Sequence, residues 1–166
     1  RVIAMLEGAT RAPEDVVAPQ LAVFLGGPTG TLLKDMLSEL PIELSVLPIR
    51  EQTRLAFMAY ETESGSEYRL VPIGPEASQA ELDSAMDVVR SFEGNYVVAS
   101  GSLPNNAPAD TYAQMAEITR QKGGRFILDT SGEALKETLE RTSVFLVKPS
   151  IGELETLAGR KLDEVG

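Results

Sequence analysis

The sequence predicts an α/β protein, a parallel sheet with helices on its faces, interrupted by a small all-β insertion. Three observations carry this. From about residue 75 onwards, amphipathic helical stripes alternate with short apolar runs across short connections, the pattern of βαβ units and a parallel sheet. Ahead of that series, Leu21-Ala22-Val23-Phe24-Leu25 is continuously apolar and stops at Gly26-Gly27, as a buried strand does. Between residues 43 and 74 the helical period vanishes and only strand-like segments remain.

Taken in order, Arg1-Val2-Ile3-Ala4-Met5-Leu6 reads as the middle of a helix. The chain is therefore expected to be a piece of something longer, which leaves room for a targeting segment ahead of it. Residues 7–20, with Gly8, Pro13 and Pro19, read as a loop. After the strand at 21–25, Leu32, Leu33, Met36, Leu37 and Leu40 recur at helical spacing and predict a helix over 31–40. Residues 43–49, 53–61 and 67–72 read as strands of the insertion, with Ser64-Gly65-Ser66 turning the last two into a hairpin. In the middle strand Leu55, Phe57 and Ala59 share one face, and Ala56, Met58 and Tyr60 the other. A strand apolar on both faces is expected to be covered on both, by the main domain on one side and a second subunit on the other. Beyond Gly74-Pro75, stripes at Leu82/Ala85/Met86/Val89, Tyr112/Met115/Ala116/Thr119, Leu135/Leu139 and Leu154/Leu157/Ala158 predict four helices. Strands at 95–99, 125–128 and 144–147 separate them, and Gly159 closes the last helix. The expected organisation is an α/β core made of 1–42 and 75–166, with a β-sheet lid at 43–74.

Composition narrows the chemistry. The chain has 166 residues, enough for one self-supporting core. Fifteen basic against 25 acidic residues give a net charge of −10, which argues against nucleic-acid and anionic-membrane partners. No run of about 18 apolar residues is present, so no membrane span is expected. Cys and His are both absent. That removes disulfides, Cys/His zinc sites, imidazole bases and Ser-His-Asp triads. What remains suits phosphate and sugar chemistry with a hard cation such as magnesium.

In open parallel sheets ligands bind at the carboxyl ends of the strands. That rule selects four loops, expected along one edge of the sheet: 26–31, 100–106, 129–132 and 148–153. Gly26-Gly27-Pro28-Thr29-Gly30 either offers helix N–H groups to an anion or is simply a tight turn. It matches neither a Walker A loop nor a dinucleotide fingerprint. Ser100-Gly101-Ser102-Leu103-Pro104 can line a polar substrate or serve as a helix entry. In Asp129-Thr130-Ser131-Gly132-Glu133, Ser131 reads as a helix N-cap and Glu133 suits the helix dipole, which leaves Asp129 as the site candidate. Ser150-Ile151-Gly152-Glu153 is a capping-box pattern, or else places Lys148 on phosphate and Glu153 in a magnesium shell. Arg54 is either a surface charge or a cation that closes over an anionic substrate.

As an ordered set these segments resemble the PfkB/ribokinase-like carbohydrate kinases, most closely the minor 6-phosphofructokinase and tagatose-6-phosphate kinase branch. The matching segments are Gly26-Gly27-Pro28-Thr29-Gly30, Thr53-Arg54, Ser64-Gly65-Ser66-Glu67-Tyr68-Arg69, Ser100-Gly101-Ser102-Leu103-Pro104, Asp129-Thr130-Ser131-Gly132-Glu133-Ala134-Leu135 and Val147-Lys148-Pro149-Ser150. They run from about residue 21 to the end of the chain. The resemblance implies a ribokinase-like three-layer α/β sandwich with a parallel central sheet and a small β lid through which two copies pair. It also implies a cytoplasmic enzyme that transfers the ATP γ-phosphoryl group, with Mg2+, to a sugar-phosphate hydroxyl. Fructose-6-phosphate is the leading acceptor; tagatose-6-phosphate and fructose-1-phosphate are the alternatives. On that resemblance Arg54 meets the sugar phosphate, and Ser102 and Gly101 line its pocket. Lys148 and Ser150 face the nucleotide, and Glu153 with Asp129 organises magnesium.

The chain also departs from the pattern. The family's Asn-x-x-Glu reads Ser150-x-x-Glu153, and Ala56 stands where the family often has Asn. The sugar-binding N-terminal strand, the di-glycine motif and the Gly-Ala-Gly-Asp motif that carries the catalytic Asp have no counterpart here. The expected picture is the central portion of a kinase. A non-catalytic binding or dimerisation module on a degenerate kinase fold is the competing reading, and a nucleotide-cofactor oxidoreductase a third.

Overall fold

The computed structural model describes residues 19–162. The helix expected at 1–6, and all but the end of the loop expected over 7–20, lie outside the described residues. Strand β1 (Gln20–Leu25) leads into helix α1 (Gly27–Ser38), which crosses over to strand β2 (Glu43–Pro48). β1 and β2 pair in parallel, from Gln20 opposite Glu43 to Leu25 opposite Pro48. Residues 43–49 therefore do not belong to the insertion, which corrects the sequence reading. The α1 crossover returns the chain in the same direction, and the half-buried Leu44, Val46 and Leu47 gain more beside β1 than in an exposed lid.

The insertion is a two-stranded antiparallel hairpin, β3 (Phe57–Tyr60) with β4 (Glu67–Leu70). Its turn is closed by the Glu61 amide donating to the Ser66 carbonyl at 2.8 Å, with Gly65 at φ 72°. Residues 53–56 do not extend β3 as expected. All eight strand positions are exposed, so the main domain does not cover either face of the hairpin. Phe57, Met58, Tyr60, Tyr68 and Leu70 all stand in solvent.

The second parallel ladder, β5 (Tyr96–Ser100), β6 (Arg125–Asp129) and β7 (Leu146–Val147), is ordered β5-β6-β7. Helices α2 (Gln79–Ser91), α3 (Thr111–Gln121), α4 (Gly132–Arg141) and α5 (Ile151–Ala158) alternate with these strands. Ala99, Phe126 and Leu128 alternate inwards from the ladder and pack with Tyr112 and Ala116 of α3 and Leu135 of α4. Thr119 and Thr138 are buried with their hydroxyls returned to the carbonyls of Met115 and Ala134, at 2.9 and 2.7 Å. The opposite face, with Val98 and Leu146, is exposed.

Among the described residues the two parallel ladders share no hydrogen bonds, so the single sheet expected from the sequence is two ladders. An apolar groove of about 400 Å3 separates the edges of β1 and β5, floored by α2 and α3. No helix among the described residues is long and apolar enough to cross a membrane.

Candidate active site

The first part of the site is built by close packing around Gly26. A Cβ there would lie 2.0 Å from the Glu51 carbonyl oxygen and 2.4 Å from that of Ile49. Only glycine lets residues 49–51 pass over the end of β1. Thr53 then fastens this crossing to the start of α1. Its amide donates to the Gly26 carbonyl at 2.9 Å, and its hydroxyl accepts from the Gly26 amide at 3.0 Å. The Thr29 hydroxyl donates to the Thr53 carbonyl. These bonds make 26–30 a tight turn whose Gly27 already begins the helix, with the Gly30 amide donating to the Gly26 carbonyl at 3.2 Å.

The crossing ends at Arg54, an exposed side chain whose Nη1 donates to the Pro72 carbonyl at 3.3 Å. Among the described residues it makes no ion pair. It lines a cavity of about 170 Å3 together with Phe24, Ile49, Gly74, Ser102 and Pro104. Arg54 and Ser102, distant in sequence, are therefore brought to one cavity beyond the carboxyl ends of β1 and β5. Gly101 bends the chain into it with φ 106°, a conformation that favours glycine. Its carbonyl accepts from the Tyr112 hydroxyl at 3.0 Å and the Thr130 hydroxyl at 2.8 Å. Burial pushes the Tyr112 phenol up to about 12, so it stays a donor at neutral pH.

The second part lies at the ends of β6 and β7. Lys148 Nζ is 3.1 Å from Asp129 Oδ1. Glu153 closes the capping box of α5: its Oε2 accepts from the Ser150 amide at 2.6 Å and hydroxyl at 2.9 Å, and the Ser150 hydroxyl accepts from the Glu153 amide at 3.3 Å. The capping alternative is thus realised. The Ser150 bonds hold the Glu153 carboxyl below the ordinary range, with Lys148 adding attraction and Asp129 opposing it. The Gly101 amide donates to the Asp129 carbonyl at 2.8 Å and so joins the two parts. Asp129, Lys148, Ser150 and Glu153 stand outside the Arg54 cavity.

Hard oxygen donors at Asp129 and Glu153 beside a lysine fit a magnesium ion held chiefly by nucleotide phosphates and water. Among the described residues no group of three or more acidic residues forms a metal cage. The expected cap at Ser131 is a correction: Ser131 occupies the N-cap position, but its side chain makes no capping hydrogen bond.

Comparison with known proteins then decides the lineage. The pfkB family carbohydrate kinase model matches residues 16–165. The chain belongs to the pfkB family. It is 38% identical over 139 residues to an ATP-dependent 6-phosphofructokinase isozyme 2 of Mycobacterium tuberculosis, covering 82% of this chain and 40% of that protein. A Bacillus subtilis 1-phosphofructokinase is 33% identical over 150 residues, 90% of this chain and 48% of that one. Phosphofructokinase-2 from Escherichia coli, solved in complex with substrates and products, superposes with a TM-score of 0.81 at 29% identity, over 89% of this chain and 48% of that chain. The pfkB chain described here thus spans less than half the length of these relatives.

Sequence reading alone did not find Tyr112 as the support of Gly101, Thr53 as the fastener of the crossing, or Asn106. Tyr112 was visible only as a core position. Asn106 sits in a loop with no periodic signal, yet its side chain accepts from the Ala77 amide and donates to the Ala77 carbonyl, both at 2.9 Å.

The two capping boxes set a pH dependence. Glu81 and Glu153 are both held below their ordinary value of 4.5, first by the backbone amides of Ser78 and Ser150. Groups with depressed folded values stabilise fully above the unfolded value and lose that contribution as pH falls through the folded one. Amide exchange at Ser78 and Ser150 is expected to accelerate as pH falls below 4.5 and through the depressed values of the two carboxyls, beyond the intrinsic pH trend. Protection unchanged across that window would contradict the cap assignment.

Proposed function

We propose that this chain is the central portion of an ATP-dependent sugar-phosphate kinase of the 6-phosphofructokinase type. The observation that carries the reading is Arg54, a cation with no ion pair among the described residues, beside Ser102 in a cavity at the strand ends. Arg54 binds the phosphate of the acceptor sugar, and Ser102 with Gly101 lines the sugar. Lys148 and Ser150 face the ATP phosphates. Glu153 and Asp129 are the carboxylates that hold Mg2+ through the nucleotide. Bound there, the ion would neutralise charge on the phosphates. The chain's own residues position the acceptor and supply positive charge within a protein of net charge −10.

No Gly-Ala-Gly-Asp motif occurs in these 166 residues, so the proton of the sugar hydroxyl has no assigned acceptor here. The isolated chain is accordingly proposed to be inactive. A full-length kinase polypeptide containing it, assayed with ATP and magnesium, is expected to prefer fructose-6-phosphate over tagatose-6-phosphate and fructose-1-phosphate. Failure to phosphorylate any of the three favours the non-catalytic reading. In that polypeptide Glu153→Gln is expected to lower kcat by about 10–100-fold and to raise the magnesium requirement. An unaltered magnesium profile would remove Glu153 from the metal shell.

The exposed apolar hairpin is proposed as a lid that pairs two copies, with residues 53–56 and 71–74 as its stems. Leu55, Phe57, Met58, Tyr60 and Leu70 supply the surface. A strictly monomeric full-length polypeptide in sedimentation would contradict this. The cytoplasm is the proposed location, in keeping with the proposed sugar-phosphate kinase function.

A further inference from the structure

Apart from Phe24 of β1, the Arg54 cavity is walled by three segments, 49–54, 74–77 and 102–104, none of which is helix or strand. The Asn105 amide donates to the Pro75 carbonyl at 3.1 Å and links two of them, but among the described residues no backbone hydrogen bond joins 49–54 to 74–77, and side chains span that gap. Glu81, the third residue of α2, closes a capping box with one oxygen: Oε2 accepts from the Ser78 amide at 2.6 Å and the Ser78 hydroxyl at 2.8 Å. Its other oxygen leaves the helix. Oε1 accepts from the Arg50 amide at 2.7 Å, four residues before Arg54. Glu51 crosses the same gap in the opposite direction, its Oε2 accepting from the Glu76 amide at 2.7 Å. Asn106 ties the 74–77 wall to the segment that carries Ser102 through its two bonds to Ala77.

The chain holds its own comparison. The α5 capping box is the same in pattern, yet among the described residues the Oε1 of Glu153 takes no protein donor. The extra bond of Glu81 is thus no requirement of the cap. We propose that Glu81 is a positioning residue: it fixes residues 49–54 against 74–77 and thereby sets where Arg54 stands. This rests on the reading of Arg54 as the phosphate ligand.

A carboxylate is needed because both oxygens must accept. Glutamine still closes a capping box, but it presents one acceptor and one donor group. It can serve Ser78 or Arg50, not both. The test uses the 166-residue chain, amide hydrogen exchange and titration with inorganic phosphate. Glu81→Gln is expected to speed exchange at Arg50 by about tenfold and to weaken phosphate binding about threefold or more. Ser78→Ala is expected to speed exchange in the first turn of α2 while leaving Arg50 and phosphate affinity unchanged. The proposal is overturned if Glu81→Gln leaves Arg50 exchange and phosphate affinity as in the wild type. It is equally overturned if Ser78→Ala weakens phosphate binding as much as Glu81→Gln does. An Arg54→Ala chain that binds phosphate as tightly as the wild type removes the underlying reading, a result separable from the other two.

Discussion

In a full-length kinase polypeptide containing this chain, Arg54→Ala is expected, on the proposed function, to raise the KM for the sugar phosphate by roughly 10- to 150-fold. That is the loss of one charge-assisted bond worth about 1.5–3 kcal/mol. The change is expected in KM more than in kcat, because in the proposed role the guanidinium would grip a phosphate that does not react and so bind ground and transition states alike. Arg54 is exposed and, among the described residues, its side chain is bonded only to the Pro72 carbonyl, so its removal leaves no buried group there unpaired. The fold should therefore survive, and urea midpoints for wild type and variant should agree. Arg54→Lys is expected to fall between them, since an ammonium keeps the charge but loses the two-pronged grip. A KM within twofold of wild type for Arg54→Ala would end the assigned role.

Gly26→Ala is expected to be the most damaging small substitution in the chain. The residue sits at φ −148°, a backbone conformation open to alanine, so strain in the turn is not the issue. The added methyl would meet the Glu51 and Ile49 carbonyl oxygens at 2.0 and 2.4 Å, and backbone cannot rotate aside. Residues 49–51 must move, at about 1–3 kcal/mol or more. Because Thr53 is fastened to Gly26, the displacement also carries Arg54 with it. Urea unfolding should show a lowered midpoint, and phosphate binding should weaken with it. Gly152→Ala is the control: it lies in α5 with nothing within 4 Å of a new Cβ and should be neutral or stabilising by up to about 1 kcal/mol. Equal stability for the two variants would contradict the close-packed crossing.

Periodic features were legible in the sequence because burial imposes a period. The stripe Leu82/Ala85/Met86/Val89 predicted α2, and all four residues are buried. Ala99, Phe126 and Leu128 marked strands of a parallel ladder. Pairing partners were less legible. Residues 43–49 alternate like any half-buried strand, and nothing local distinguishes a place beside β1 from a place in the hairpin. Only the crossover through α1 decides it. The doubly apolar segment Leu55–Tyr60 led to the expectation of the main domain on one face and a second subunit on the other; the structure leaves both faces of 57–60 uncovered by the main domain, because an apolar pattern shows that a face wants cover but not what supplies it. At the candidate site, strand ends and residue types singled out Ser102, Asp129, Lys148 and Glu153, and Arg54 as a cation of the insertion; the structure brings Arg54 and Ser102 to one cavity and Lys148 to Asp129. The supporting bonds from Thr53, Glu81 and Asn106 join segments far apart in the chain and leave no spacing to read.

The central claim is that the cavity beside Arg54 receives the acceptor's phosphate. A crystal structure of a full-length kinase polypeptide containing this chain, grown with fructose-6-phosphate, tests it most directly. The phosphate is expected within hydrogen-bond distance of the Arg54 guanidinium, with the sugar against Ser102. A bound sugar phosphate that leaves Arg54 uncontacted would contradict the account.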